Sequence, residues 1–209
     1  MKETELSFLS FDKRLFFFFI CAASILLVYF KDTFIVAETP LMEVLADDGQ
    51  FGTIRLLNGL SYLALPLLYF LKFTVIALGL FIASFGIGYR LTFKSLWHLA
   101  MIGQVSFLFL ELVRVVWFMV IPGDPSVADV RNFFPLSILQ TTDYLEVMAH
   151  RRYALRMLNV FELVYWVWLV YGVHYLARKR LLMTFWIVFL GYILPYLIVL
   201  GFTFFGQSS

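Results

Sequence analysis

The chain has 209 residues, of which 62% are hydrophobic, 20% aromatic and only 14% charged, with a formal net charge of +2. Soluble domains run nearer half apolar and a quarter charged, and a mean hydropathy of +0.89 implies more apolar surface than a water-soluble fold of this length buries. The near-neutral charge offers no dense basic face for nucleic acid, and a single cysteine, Cys21, excludes an internal disulfide and a cysteine-rich metal cluster.

These limits point to one membrane domain over residues 1–209, an all-α polytopic bundle of five transmembrane helices plus an interfacial or re-entrant segment. Span one covers about 15–36, after Lys13 and Arg14, with Lys31 placed to snorkel near its far end. Its length, and the mid-run position of the small residues 21–24, do not fit a cleaved signal peptide. An acidic stretch follows, with Glu38, Glu43, Asp47 and Asp48. The next apolar run, about 56–89, is too long for one span and too short for two. Pro66 and Lys72 lie inside it. We read it as a shallow or tilted segment over 56–71 leading into a span placed within about 67–89, which sets Lys72 beside a headgroup. The alternative is one long kinked helix.

Span three covers about 96–121 and stops at Pro122-Gly123-Asp124-Pro125. A connection over 126–156 is extramembrane or re-entrant. Span four covers about 157–177, stopped by Arg178-Lys179-Arg180, and span five about 181–205, with Pro195 as a kink. Lys2, Lys13, Arg14, Arg90, Lys94, Arg178, Lys179 and Arg180 then share one side, and Glu38, Glu43, Asp47, Asp48, Asp124, Asp129, Asp143 and Glu146 the other. Positive charge in short loops marks the cytoplasmic side, so the N-terminus is expected in the cytoplasm. Arg55, Arg131, Arg151, Arg152 and Arg156 fall against this pattern.

Two segments echo each other. Residues 134–140 can be laid over 153–159 with a shared order of aromatic, Pro or Ala, Leu, any, Ile or Met, Leu, amide. Each copy is expected to start a helix, unless the likeness is chance in leucine-rich sequence. The order of elements, and the stretch Met157-Leu158-Asn159-Val160-Phe161-Glu162-Leu163-Val164-Tyr165-Trp166, resemble the YIP (Ypt-interacting protein) family and its bacterial relatives over about residues 57–205. That resemblance implies a five-span membrane adaptor with a cytoplasmic N-terminus. Eukaryotic members touch prenylated small GTPases and carry a long cytosolic domain, where this chain has about 14 residues before span one. The Phe-rich, Lys-flanked style suggests a bacterial inner membrane.

Ionisable groups inside a bilayer are costly and ask for partners. Glu111 and Arg114 are three apart on one helix face, and Glu162 of span four is placed to complete a Glu–Arg–Glu cluster. The cluster reads as a clamp on helix register, a proton or anion relay, or a dock for a partner's polar group. His150, Arg151, Arg152 and Arg156 form the densest basic patch, suited to a lipid phosphate or to local pairing with acids. His98 and His174 stand at similar depth but lack a third metal ligand, so no metal or other cofactor is expected. Gly79 with Ala83, and Ser84 with Gly88, permit close helix approach inside the bundle or against another subunit. No HExxH, phosphate-binding glycine loop or nucleophile elbow occurs. The leading expectation is a non-enzymatic adaptor or accessory subunit that meets lipids and other membrane subunits. A transport component and a lipid-headgroup protein are the alternatives.

Overall fold

The computed structural model describes residues 12–36, 51–121, 123, 126–142, 145–178 and 180–206, with 51–58 and 149 described by backbone alone. Lys2, the acidic series Glu38 to Asp48, Asp124, Asp143 and Lys179 lie outside these residues, as does most of the stop at 122–125.

Five stretches are long and apolar enough to cross a bilayer: Lys13–Val36, Gly59–Gly86, Phe93–Val120, Val160–Ala177 and Leu181–Phe205. The protein is an all-α integral membrane bundle. Helix α1 (Lys13–Lys31) starts at Asp12, whose side chain accepts the Arg14 N–H, and runs on through a wide π turn at Asp32–Val36. Helix α2 (Phe51–Gly86) is continuous for 36 residues. That corrects the expectation of a separate shallow segment over 56–71: the run is one helix, about 54 Å long at the usual rise. Pro66 removes only the N–H that would reach the Tyr62 carbonyl, a loss a membrane helix tolerates when neighbours pack against it. Lys72 accordingly lies midway along the Gly59–Gly86 span.

Span three is the broken one. Helix α3 (Phe93–Gly103), capped by Thr92, and helix α4 (Val105–Val120) are separated at Gln104. The Gln104 N–H reaches Met101, three residues back, so the Ala100 carbonyl loses its helical partner. The Tyr165 hydroxyl takes that carbonyl at 3.3 Å, and the Trp168 indole takes Leu99 at 3.0 Å. A Cβ on Gly103 would overlap the Tyr165 ring, so glycine there permits the approach.

Beyond span three, α5 (Val127–Asn132) begins with a Ser126–Asp129 capping box, and α6 (Ala149–Met157) precedes α7 (Val160–Ala177), capped by Asn159. The echoed segments do not both start helices. Residues 134–140 enter a 3₁₀ turn at Ile138–Thr141, whereas 153–157 end α6. Instead they pair: the Ile138 N–H donates to Leu158 O at 3.0 Å, and the Val160 N–H to Leu136 O at 3.1 Å. Helix α6 packs beside the last span, with the Arg151 guanidinium over the Phe204 ring. Among its described residues, the 126–156 connection is thus two short helices and a 3₁₀ turn.

Span five is α8 (Leu181–Val188), a π turn (Phe189–Ile193) and α9 (Leu194–Phe205). Pro195 stands in the first turn of α9, so the irregularity precedes it. Gly79 of α2 and Gly191 of the π turn meet backbone to backbone, since a Cβ on either would overlap the other's main chain. The core lies at this crossing, with Phe73, Leu80, Leu96, Met101, Tyr165 and Ile187 buried.

Candidate functional site: a charged cavity inside the bundle

All five spans contribute to a polar cavity of about 410 Å³, among whose lining residues are Ser24, Lys72, Gln104, Glu111, Glu162 and Tyr192. Helix α2 presents Lys72, whose Nζ donates to Gln104 Oε1 at 2.8 Å and stands 4.1 Å from the Phe107 ring centre. Gln104 reaches it because span three breaks at that residue. The first turn of α7 presents Glu162, which is 4% exposed. Its Oε1 accepts from Trp166 Nε1 at 2.7 Å and from the Tyr192 hydroxyl at 2.9 Å. Its own N–H is tied to Asn159 Oδ1 at 2.9 Å. Such neutral donors stabilise a carboxylate without cancelling its charge.

The expected Glu111–Arg114–Glu162 cluster forms only in part. Arg114 Nη1 bonds Glu111 Oε1 at 2.7 Å, as the spacing on α4 implies. Its other arm donates to the Val130 carbonyl of α5 at 2.9 Å, and its face lies 4.3 Å from the Phe134 ring centre. Glu162 does not join, because Trp166 one turn along and Tyr192 across the interface hold it elsewhere. Lys72 shares its cavity instead, and no ion pair joins the two. Further tyrosines complete the wall: Tyr69 donates to Ser24 Oγ and Tyr196 to the Met157 carbonyl, at 2.8 and 2.9 Å.

Sequence reading missed Lys72, Gln104 and Tyr192 as site residues. The first two carried a signal, a cation and an amide within apolar runs. Tyr192 carried none, since tyrosines are scattered along the spans.

The other candidates distribute as follows. His98 and His174 do share a cleft, of about 410 Å³, with Lys13, Tyr171 and Tyr175. No group of three or more His, Cys, Asp or Glu suited to a metal occurs among the described residues. Of the basic patch, Arg152 and Arg156 line one pocket, joined by Arg131. Arg151 turns to Phe204, and His150, half-buried, is outside the pocket. Gly79 is engaged within the bundle, Ala83 packs against the core, and Ser84 is buried and donates to the Phe81 carbonyl. Gly88 forms a turn with φ of 87°. No family model, curated protein or solved structure matches the chain.

Proposed function

We propose that the protein is a non-enzymatic integral membrane subunit that binds a small charged or zwitterionic solute inside the bilayer, as one component of a transport assembly. The observation that carries this reading is the placement of Lys72 and Glu162, from different spans, on one cavity without an ion pair between them. Two opposite charges left apart in a low-dielectric interior favour an occupant with charges to match. The irregular backbone supports it: span three breaks at Gln104 and span five carries a π turn around Tyr192, and discontinuous helices are how membrane carriers build polar sites. Five spans are few for a carrier acting alone, which agrees with an accessory role among other subunits and with the adaptor character that a YIP-like resemblance implies.

The positive-inside pattern supports a cytoplasmic N-terminus, and the Phe-rich, Lys-flanked style of the spans supports a bacterial inner membrane. The test uses the whole chain in lipid nanodiscs with a panel of small amino acids, alkylammonium ions and carboxylates. At a hundred times Kd, a bound solute stabilises the fold by about 2.7 kcal/mol, read as a rise in Tm. Glu162→Gln and Lys72→Met should abolish the rise, and flux into proteoliposomes bearing the partner subunits should fall with them. A Gln104→Cys thiol, in a Cys21→Ser background, should react with hydrophilic reagents. An unreactive thiol together with no Tm response to any panel member refutes the reading.

A further inference from the structure

Two hollows lie in line along the seam between span three and α7. The first is the cleft of about 410 Å³ whose polar lining residues include Lys13, Ser95, His98, Tyr171 and His174. The second, of about 740 Å³, has Ile102, Val105, Phe109, Phe161 and Val164 in its wall, with Ser106 its only hydroxyl. Trp168 borders both. From Ser95 to Phe109 the seam is about 21 Å long at the usual helical rise, which covers one leaflet of a hydrocarbon core of about 30 Å.

The two hollows differ in what their walls leave unsatisfied. In the second, the Ser106 hydroxyl donates to the Gly103 carbonyl at 2.8 Å and the Trp168 indole to the Leu99 carbonyl at 3.0 Å, so the wall offers apolar contact. In the first, His98 is 8% exposed and edge-on to Trp97, and no hydrogen bond reaches its imidazole among the described residues. His174 Nδ1 is buried and likewise has no hydrogen-bond partner among them. Buried ring nitrogens left in this state cost free energy until a ligand or water bonds them. Lys13 is the one Lys or Arg in the lining, no acidic side chain lines the cleft, and no ion pair holds Lys13 among the described residues. These three groups stand where spans end: Lys13 opens α1, His98 lies in the second turn of α3, and His174 in the last turn of α7.

We propose that this seam binds a long-chain fatty acid, its carboxylate among Lys13, His98 and His174 and its chain running past Trp168 into the second hollow. The head chemistry follows from the lining. A single ammonium balances a single negative charge, and a neutral imidazole donates one N–H to a carboxylate oxygen without adding charge. The tail chemistry follows from depth and exposure. The polar groups lie at the span ends, where a headgroup sits, and the apolar hollow continues inward along the same two elements. Val105, Phe109 and Val164 are exposed on its flank, so a chain enters sideways from the bilayer. None of the residues lining either hollow lines the solute cavity, so the two proposals stand or fall separately.

The full chain is placed in phosphatidylcholine nanodiscs with palmitate, hexadecanol or hexadecylamine, and the retained amphiphile is read by native mass spectrometry. Palmitate should be held about tenfold or more tightly than the alcohol or the amine of equal length. A palmitate carrying a diazirine near its chain end should label residues within 102–109 or 161–168. Lys13→Gln/His174→Phe should weaken palmitate binding about tenfold, whereas Arg14→Gln, an exposed neighbouring cation outside the cleft, leaves it unchanged. Should the double variant unfold, Val164→Trp alone, at a position 51% exposed, must still weaken binding several-fold by filling the second hollow. Equal retention of the three amphiphiles, wild-type binding by the variants, or displacement of palmitate when phosphatidylglycerol replaces part of the lipid overturns the proposal, the last by assigning the seam to phospholipid.

Discussion

Replacing Gly191 by alanine tests the crossing on which the bundle is built. A Cβ at Gly191 would stand 2.7 Å from the Gly79 carbonyl oxygen and 2.9 Å from Leu80 Cα. Both are backbone atoms, so no side chain can swing aside. Restoring a contact of about 3.5 Å means parting α2 from span five by about 0.8 Å, and a gap of that size forfeits a quarter to a half of each affected contact's attraction. Ile76, Ala77, Leu80, Ile187, Val188 and Ile193 are the buried apolar residues near this crossing. The expected cost is about 1–3 kcal/mol, toward the upper end because backbone must move. Gly59→Ala on the same α2 helix, where an added Cβ meets nothing within 4 Å, should be neutral or stabilising by up to about 1 kcal/mol. Reversible unfolding in mixed micelles measures both. Gly79→Ala should resemble Gly191→Ala, and the double variant should cost less than the sum, since one separation of the helices accommodates both methyls. A Gly191→Ala protein as stable as Gly59→Ala would show that α2 and span five do not meet here.

Glu162→Ala should cost about 2–4 kcal/mol in the same unfolding assay, because Trp166 Nε1 and the Tyr192 hydroxyl lose their acceptor. Glu162→Gln keeps an acceptor oxygen and should stay much closer to wild type; equal losses for the two would refute the hydrogen bonds. Leu136 has a φ of 59° and is 63% exposed. Leu136→Gly should therefore hold or raise stability by about 1 kcal/mol through relief of left-handed strain, and a clear loss in the unfolding midpoint would contradict that conformation.

How much was legible divides by the range of the signal. Apolar runs bounded by Lys13, Arg90, Lys94 and Arg178 mark the spans, because hydrocarbon thickness sets a length that composition alone can report. The Glu111–Arg114 pair follows from spacing on one helix, and its 2.7 Å bond needs no tertiary information. The path of residues 56–71 stays open between two readings in the sequence, because Pro66 and Lys72 look like interruptions in a one-dimensional profile. The neighbouring spans accept both, and the actual break falls at Gln104, where the Tyr165 hydroxyl waits for the freed carbonyl. The echoed segments were matched by residue type, yet they pair with each other, as Leu136 and Leu158 meet across the connection.

Local patterning by itself determined that the chain is an integral membrane protein of five helical spans, since each span's burial in lipid depends only on its own residues. Tertiary packing alone decided which polar groups meet: Lys72 with Gln104, Glu162 with Tyr192, and Arg156 with the Arg131 carbonyl. Those partners lie on different elements, and the rotation and depth of one helix against the next are set by contacts such as Gly79 on Gly191. No spacing within a single segment encodes that relation.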